Sequence, residues 1–328
     1  MKERQYIARR SAEWEAWDRW LAAEGPHAVA PEGDSPGVAG LPQRFRRLCH
    51  DLALVHDRHY STALVEELHR RVLAAHQRIY GAGEPQGQTW RYFLGAGLPL
   101  LVRSEWRLVL AAALLLLLPL LVCLLAIQGW PDVAFLLLPP ETVGEIEEMY
   151  APTASHPGRP RAASSDWAMW GFYIANNVRI DFQAFAGGIA FGLGSVFYLV
   201  YNGLYIGAVA GHLTQIGYVT SFWGFVAGHG AFELTGVILS GSAGLKLGAA
   251  LVAPGRRARL AALKENARVA VKLLYGAALL TFAAAFIEAF WSPLHGVTFE
   301  IKVGVGITLW LLTWAYLLLA GRSAPRAA

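Results

Sequence analysis

Apolar runs long enough to cross a lipid bilayer fill most of the chain after residue 107, and they constrain the fold more than any other feature. A transmembrane helix needs about 20 apolar residues, because the hydrocarbon layer is roughly 30 Å thick. Backbone polar groups in lipid must be satisfied internally, which favours helices. Hydrophobic residues make up 55% of the chain and charged residues only 16%. The sequence therefore predicts an all-α, polytopic membrane protein.

The first 107 residues have a different composition. They carry 15 of the 28 Lys and Arg residues and 13 of the 24 acidic residues, without an apolar run of spanning length. Apolar residues recur at helical spacing in 5–21, 41–55 and 61–80, which predicts a helical domain over 1–107 with a flexible linker at 25–40. No apolar core with a small-residue cleavage site follows the first basic residues. We therefore expect no signal peptide and a cytoplasmic N-terminal domain.

The distribution of charge orients the predicted spans. Segment 130–181 holds seven acidic residues against three arginines, whereas segment 256–272 holds six Lys and Arg residues. Cytoplasmic loops are enriched in Lys and Arg, so we expect 129–175 to be extracytoplasmic and the basic loop 253–272 to be cytoplasmic. An odd number of crossings must connect these two regions, although only two long apolar stretches lie between them.

The stretch 182–213 is the best place for the extra crossing. As one helix it would be roughly 48 Å long, well beyond the hydrocarbon thickness, and it contains four glycines that allow a break. Two spans and a re-entrant element both remain open. We expect a bundle of about six spans with both termini inside. The transmembrane domain is predicted over 108–322, with spans at 108–128, about 176–191, 195–213, 222–252, 273–290 and 301–320.

Polar and ionisable residues interrupt the most apolar, glycine-rich part of the chain. His229 and Glu233 are four residues apart, so they lie on one face of a helix. Glu288 falls near the same depth in the predicted topology. Charged groups in lipid are costly and usually mark function. The sequence predicts an intramembrane polar cluster formed from His229, Glu233, Glu288, Asn202 and His212.

Four roles remain open for this cluster: a buried clamp between helices, a proton or ion relay, a ligand or lipid-headgroup site, and a metal centre. A metallohydrolase helix carries His-Glu-x-x-His, whereas this helix carries His-Gly-Ala-Phe-Glu with one histidine. A third ligand would have to come from His212, Glu288 or Asn202. The sequence also lacks a nucleophile elbow and a phosphate-binding loop. We therefore expect no enzyme, no catalytic residues, no cofactor and no metal.

Small residues recur every fourth position in two predicted spans. Such stripes let helix backbones approach closely, either within one subunit or between copies. The stripes comprise Gly203, Gly207, Gly211, Gly236, Ser240, Gly244 and Gly248. A second pattern, of aromatic and amide side chains, predicts a belt at the outer membrane interface in which the asparagines cap the next helix. Its residues are Trp167, Trp170, Asn176 and Asn177.

Three segments carry a family resemblance. They are NNVRIDFQAFAGGIAFGLGSVFYLVYNGLYIGAVAGHL, GHGAFELTGVILSGSAGLKLG and AFIEAFW. Over about residues 41–319 the chain resembles the stage II sporulation protein M family, in particular its longer members from non-sporulating bacteria. The resemblance implies a multi-pass protein of the bacterial inner membrane without established catalytic residues. It also implies similarity to a scaffold that recruits cell-wall hydrolases, and gene neighbours that encode MoxR-type AAA ATPases and RDD-family membrane proteins.

Two functions are therefore expected. The first is a membrane scaffold that organises envelope or peptidoglycan-remodelling machinery, or a complex with a MoxR-type AAA ATPase. Its partners would be cell-wall hydrolases outside, an AAA ATPase or an RDD-family membrane protein, membrane lipids, and a second copy of the chain. The alternative is a transporter, channel or lipid-handling protein that uses His229, Glu233 and Glu288. We expect no nucleic-acid binding, because the net charge of +4 is small and lies where cytoplasmic loops carry it.

Overall fold

The computed structural model describes residues 2–22, 41–80, 90–154, 157–158 and 165–322. Within these ranges the chain is helical and contains no strand, which confirms the all-α prediction. The expected linker at 25–40 lies outside the described residues. The chain divides into two compact units, Met1–Trp90 and Arg91–Ala328.

The first unit contains α1 (Glu3–Ala22), α2 (Leu41–Asp57) and α3 (Thr62–Tyr80). Its core forms because each helix places apolar side chains at helical spacing on one face. Trp14 and Trp17 of α1 are buried against Leu48 of α2 and Leu68 of α3. The unit therefore has a hydrophobic core of its own.

A buried carboxylate joins α1 to α2 inside this unit. Asp51 accepts hydrogen bonds from Tyr6 Oη at 2.8 Å, from Arg10 Nη2 at 2.7 Å and from Trp14 Nε1 at 3.0 Å. Burial, together with the hydrogen bond to Asp51, raises the pKa of Tyr6 to about 12. A buried carboxylate is tolerated when its oxygens are paired in this way.

The second unit starts with a π-helical turn (Phe93–Gly97) and continues through helices α4 to α12. These are α4 (Leu98–Ser104), α5 (Trp106–Gly129), α6 (Val133–Leu137), α7 (Pro140–Tyr150), α8 (Asp166–Ala186), α9 (Leu193–Gln215), α10 (Val219–Val252), α11 (Arg259–Phe290) and α12 (Phe299–Leu319). Helix α10 is the central element, because most of its apolar length is buried by its neighbours.

Five helices of the described chain, α5 and α9 to α12, are long and apolar enough to span a membrane. Leucines such as Leu118 and Leu125 are exposed on α5, a surface suited to lipid contact. Helix α8 has 21 residues, about 31 Å by helical rise, but it carries Arg179 and Asp181. These features make the chain a multi-pass membrane protein.

Contacts between neighbours fix the direction of α5, α9 and α10. Helices α5 and α9 run parallel, since Gly207 packs on Leu120 and Gly211, one turn later, packs on Ile127. Helices α9 and α10 run antiparallel, since Ser195 at the start of α9 meets Gly244 near the end of α10.

The remaining helices continue this alternation. Helix α8 is antiparallel to α11, because Asp181 contacts Thr281 while Asn177, one turn earlier, contacts Glu288. It is parallel to α10, because Asp181 lies beside Gly236 while Ala184 lies beside Gly244. Helix α12 is also parallel to α10, because Phe299 lies beside Gly224 while Gly306 lies beside Ala227. Six consecutive long helices therefore alternate in direction, as a six-span topology requires.

The reversal between α8 and α9 occurs at a glycine-rich turn. A 3-10 turn (Gly187–Ile189) is followed by Phe191 and Gly192, both with positive φ values of 54° and 83°. The Ser195 hydroxyl closes the turn by donating to the Ala184 carbonyl at 2.6 Å. The turn packs directly on α10, since a Cβ on Gly248 would lie 2.5 Å from the Gly192 nitrogen. The chain thus forms a helical hairpin at the expected glycines.

Several boundaries differ from the sequence-based expectations. The first unit ends at Trp90 rather than at 107, because Leu98 of α4 is buried in the core of the second unit. Helix α8 starts at Asp166 rather than near 176, since Ser165 caps it by accepting from the Ala168 amide at 3.3 Å. Helix α11 begins at Arg259 and so includes most of the basic segment 253–272.

The small-residue stripes pack within this chain. A Cβ on Gly207 would lie 2.5 Å from the Leu120 carbonyl oxygen, and one on Gly236 would lie 2.8 Å from Thr281 Oγ1. A Cβ on Gly244 would lie 2.5 Å from the Ala184 carbonyl oxygen. Ser240, in the same stripe of α10, is fully buried. Close helix packing therefore accounts for these positions without a second copy of the chain.

Candidate functional site

The candidate site lies where α8, α10, α11 and α12 meet. Helix α10 supplies His229 and Glu233 one turn apart, and α11 supplies Glu288 from the facing side. One ligand atom from each of these three side chains lies within 4.8 Å of the other two. The structure thus brings together three of the five residues predicted for the cluster.

His229 is held on both sides. Its ring is 3% exposed and packs edge-on against Phe225, with the ring centres 5.4 Å apart. Nδ1 lies 3.1 Å from the Ser292 hydroxyl, which fixes the ring orientation. Nε2 points towards Glu233, at 3.6 Å from Oε2, which is beyond hydrogen-bond distance.

A lysine of α12 lies beside the cluster. Lys302 is 7% exposed, and its Nζ donates to the Ser292 carbonyl oxygen at 2.7 Å. Ser292 therefore accepts a hydrogen bond from Lys302 at its backbone carbonyl and contacts His229 with its side-chain hydroxyl. A buried cation is costly unless it is paired with oxygen atoms or charges. Sequence reasoning missed Lys302 because it was counted as part of an apolar span.

Asn177 of α8 contacts this site. Its Nδ2 lies 3.5 Å from Glu288 Oε2, and its Oδ1 accepts from Asn176 Nδ2 at 2.9 Å. This corrects the expectation that the two asparagines cap a helix, because α8 starts three turns earlier. Trp167 is exposed at the start of α8, and Trp170 packs against Phe282, with ring centres 4.9 Å apart.

A third carboxylate, Asp181, was not predicted. It is 3% exposed and accepts from the Thr281 hydroxyl across the α8–α11 contact. Tyr173, Asn177 and Asp181 are four residues apart and all buried. This spacing was the available signal, but Asp181 was counted among the acids of an outer loop.

Two residues predicted for the cluster lie elsewhere. His212 Nε2 is 2.7 Å from Glu147 Oε1, so it joins α9 to helix α7. Asn202 donates to the Tyr198 carbonyl at 2.7 Å, within its own helix. Each of these two side chains is paired with a partner outside the cluster, so neither joins His229, Glu233 and Glu288.

The opposite end of the bundle holds a separate ion pair. Lys246 Nζ lies 2.6 Å from Glu105 Oε1 and joins α10 to the start of α5. Near it, Arg103 Nη1 donates to the Leu317 carbonyl at 3.0 Å. These contacts attach the start of α5 to α10, and α4 to the end of α12.

The site combines an imidazole, three carboxylates, an ammonium group and an amide in a largely buried region. Glu233 keeps 25% of its side chain accessible, although His229 beside it is enclosed. Such a set can hold a proton or a cation, because carboxylate and imidazole atoms converge while one carboxylate remains reachable.

Two protein families match this chain, one in each of its two units. Residues 4–81 match the family described as Domain of unknown function (DUF8413). "Uncharacterized protein MJ0793" of Methanocaldococcus jannaschii is 27% identical over 126 residues, which are 37% of this chain and 68% of that protein. No solved structure matches the chain. The model of the family Stage II sporulation protein M matches residues 111–293, more than half of the 328-residue chain. The chain therefore belongs to the stage II sporulation protein M family.

Proposed function

We propose that this protein is a non-enzymatic scaffold of the bacterial inner membrane. The observation that carries the proposal is the combination of a multi-pass bundle with a helical unit that has its own core. A unit folded around its own core is free to present its surface to a partner. The bundle fixes the protein in the membrane, while the first unit supplies a binding surface.

The first unit carries a groove suited to a partner. It has a volume of ≈ 600 Å³ and is lined by Cys49, Leu52, Ala53, His56, Asp57, Val65 and His69. Apolar side chains are mixed with imidazole and carboxylate groups, a lining that combines apolar contact with a few polar groups for orientation. We assign this groove to a soluble partner, for which a MoxR-type AAA ATPase is the candidate.

On the extracytoplasmic side of the membrane, the proposed partners are cell-wall hydrolases. Helix α7 is fixed to the bundle by Glu147–His212 and by the Ser221 hydroxyl, which donates to the Tyr150 carbonyl at 2.6 Å. A segment attached in this way presents a defined acidic surface, including Glu145 and Glu148. Rigid presentation is what a scaffold needs, because preorganisation lowers the cost of binding.

Site-specific crosslinking tests the scaffold proposal. A photoreactive amino acid at Ala53, in the groove, is compared with one at Glu15, exposed on α1. We expect the Ala53 position alone to crosslink to an AAA ATPase in native membranes, with a yield that changes when ATP is added. Equal crosslinking from both positions, or full retention of the ATPase after deletion of residues 2–80, would contradict the proposal.

A second function, transport or lipid handling at the polar cluster, is favoured by one observation. Glu233 is partly accessible although it lies in the most enclosed helix. Its test is substrate or ion flux in proteoliposomes with Glu233→Gln, against the control Glu147→Gln. If the cluster transports a substrate, Glu233→Gln should abolish the flux without changing the melting temperature. The control Glu147→Gln should retain the flux. Loss of folded protein instead would assign Glu233 a structural role.

A further inference from the structure

We propose that His229, Glu233 and Glu288 bind one divalent transition-metal ion, of which Zn²⁺ is the representative. The three side chains come from two helices and meet inside the bundle. The proposal is independent of the scaffold function, because it concerns the bundle alone and can be tested without any partner.

The three side chains are spaced almost as the ligands of one metal ion are. The three ligand atoms lie within 4.8 Å of one another, and His229 Nε2 lies 3.6 Å from Glu233 Oε2. Ligands about 2.1 Å from a tetrahedral Zn²⁺ are roughly 3.4 Å apart. The histidine and the first glutamate are already near that separation. All three ligand atoms lie within 4.8 Å of one another, so reaching tetrahedral separations requires side-chain movements of at most about 1.4 Å.

The imidazole of His229 is oriented by a hydrogen-bonding partner. Nδ1 of His229 is engaged by the Ser292 hydroxyl at 3.1 Å, which leaves Nε2 facing Glu233 at 3.6 Å. Metal-binding histidines commonly direct the second ring nitrogen to a hydrogen-bonding partner, which fixes the tautomer and the ring plane. Asn177 stands in a similar relation to Glu288, with Nδ2 3.5 Å from Oε2. Both outer partners are thus in place.

The distribution of charge around the site also favours a cation. Glu233, Glu288 and Asp181 place three carboxylates in one region of the bundle, whereas Lys302 directs its ammonium group to a backbone carbonyl at 2.7 Å. The separation of His229 and Glu233 is too long for a direct hydrogen bond, so the arrangement differs from a closed clamp. A divalent ion between these atoms would balance the two glutamates and use the Nε2 lone pair.

The donor set indicates the class of metal. One imidazole nitrogen and two carboxylates suit Zn²⁺, Mn²⁺ or Fe²⁺, whereas Mg²⁺ and Ca²⁺ prefer oxygen atoms alone and Cu⁺ prefers sulfur. Three protein ligands leave at least one coordination position for water or another small ligand. Glu233 keeps 25% of its side chain accessible, so the site is not fully enclosed.

Metal content and Co²⁺ spectroscopy of the purified full-length protein test this site. We expect one Zn²⁺ or Co²⁺ per chain after dialysis, and visible Co²⁺ absorption as intense as that of a four- or five-coordinate ion. His229→Gln and Glu288→Gln should weaken binding by at least about 100-fold, because even second-shell partners contribute about 10- to 100-fold. Glu147→Gln, which removes the partner of His212, should bind as the unchanged protein does.

A ligand exchange keeps the test decisive if the glutamine variants fail to fold. Glu233→Cys retains a metal-binding atom and should show a thiolate-to-Co²⁺ charge-transfer band, whereas Glu147→Cys should not. Cys49 and Cys123 are present in both variants, so they cancel in the comparison. Sub-stoichiometric metal in the unchanged protein, metal retention in His229→Gln, or Co²⁺ binding by Glu233→Cys without that band would each overturn the proposal.

Discussion

At the scale of single residues, polar side chains are the part of this chain that sequence reasoning placed least well. The pairing of His229 with Glu233 was predictable, because a spacing of four residues determines a helical face. Asp181 and Lys302 were not, because hydropathy does not show whether a charged residue points into the bundle or lies at its edge. His212 and Asn202 were misplaced for the related reason that each has a local partner.

Asp51 provides a direct test of packing in the first unit. Asp51→Ala leaves Arg10 and the polar atoms of Tyr6 and Trp14 without their buried acceptor. Removing one partner of a buried charge pair costs about 3–5 kcal/mol. We expect amide hydrogen exchange across α1 to α3 to accelerate accordingly in the full-length protein. Asp57→Ala, an exposed change on the same helix, is the control, and an equal acceleration there would contradict the assignment.

The raised pKa of Tyr6 predicts a pH dependence. Its folded-state pKa of about 12 exceeds the ordinary value of 10.0, so the folded unit holds the phenolic proton more tightly than the unfolded chain. This contribution is complete below pH 10 and is lost between pH 10 and 12. It amounts to about 2–3 kcal/mol. Urea unfolding of the first unit, followed by tryptophan fluorescence, should show a steeper loss over this range than in Tyr6→Phe. An equal loss of stability with pH in both proteins would contradict the raised pKa of Tyr6.

At the scale of elements, the long helices were predictable because lipid leaves few alternatives to an apolar helix. The break between α8 and α9 was also predicted, since 182–213 is too long for one span and contains the glycines that now form the turn. The start of α8 was not, because the aromatic and polar residues after Asp166 are typical of an interface as well as of a helix.

The packing of α9 on α5 predicts the effect of a small change. Gly207→Ala adds a Cβ that would lie 2.5 Å from the Leu120 carbonyl oxygen, so the two helices must separate. Overpacking of this kind typically costs about 1–3 kcal/mol. We expect a lower melting temperature in detergent. Gly304→Ala on α12 meets no atom within 4 Å and should leave it unchanged; equal effects would contradict the proposed close contact.

At the scale of the whole molecule, the account rests on six helices of alternating direction. Five of them are apolar enough to span by themselves, and α8 depends on its neighbours to bury Asn177 and Asp181. Charged residues within a membrane domain are tolerated when they face the bundle interior. If α8 crosses fully, the α8–α9 turn lies on the same side as the loop between α10 and α11, and the cluster lies within the bilayer.

Labelling of single cysteines in intact cells tests this topology most directly. In a background carrying Cys49→Ser and Cys123→Ser, exposed positions are replaced one at a time by Glu148→Cys in α7, Ala190→Cys in the α8–α9 turn and Arg256→Cys before α11. A membrane-impermeant maleimide should label only Glu148→Cys, and the other two only after the cells are opened. Labelling of Ala190→Cys in intact cells would mean that α8 does not cross, and would contradict the six-span account.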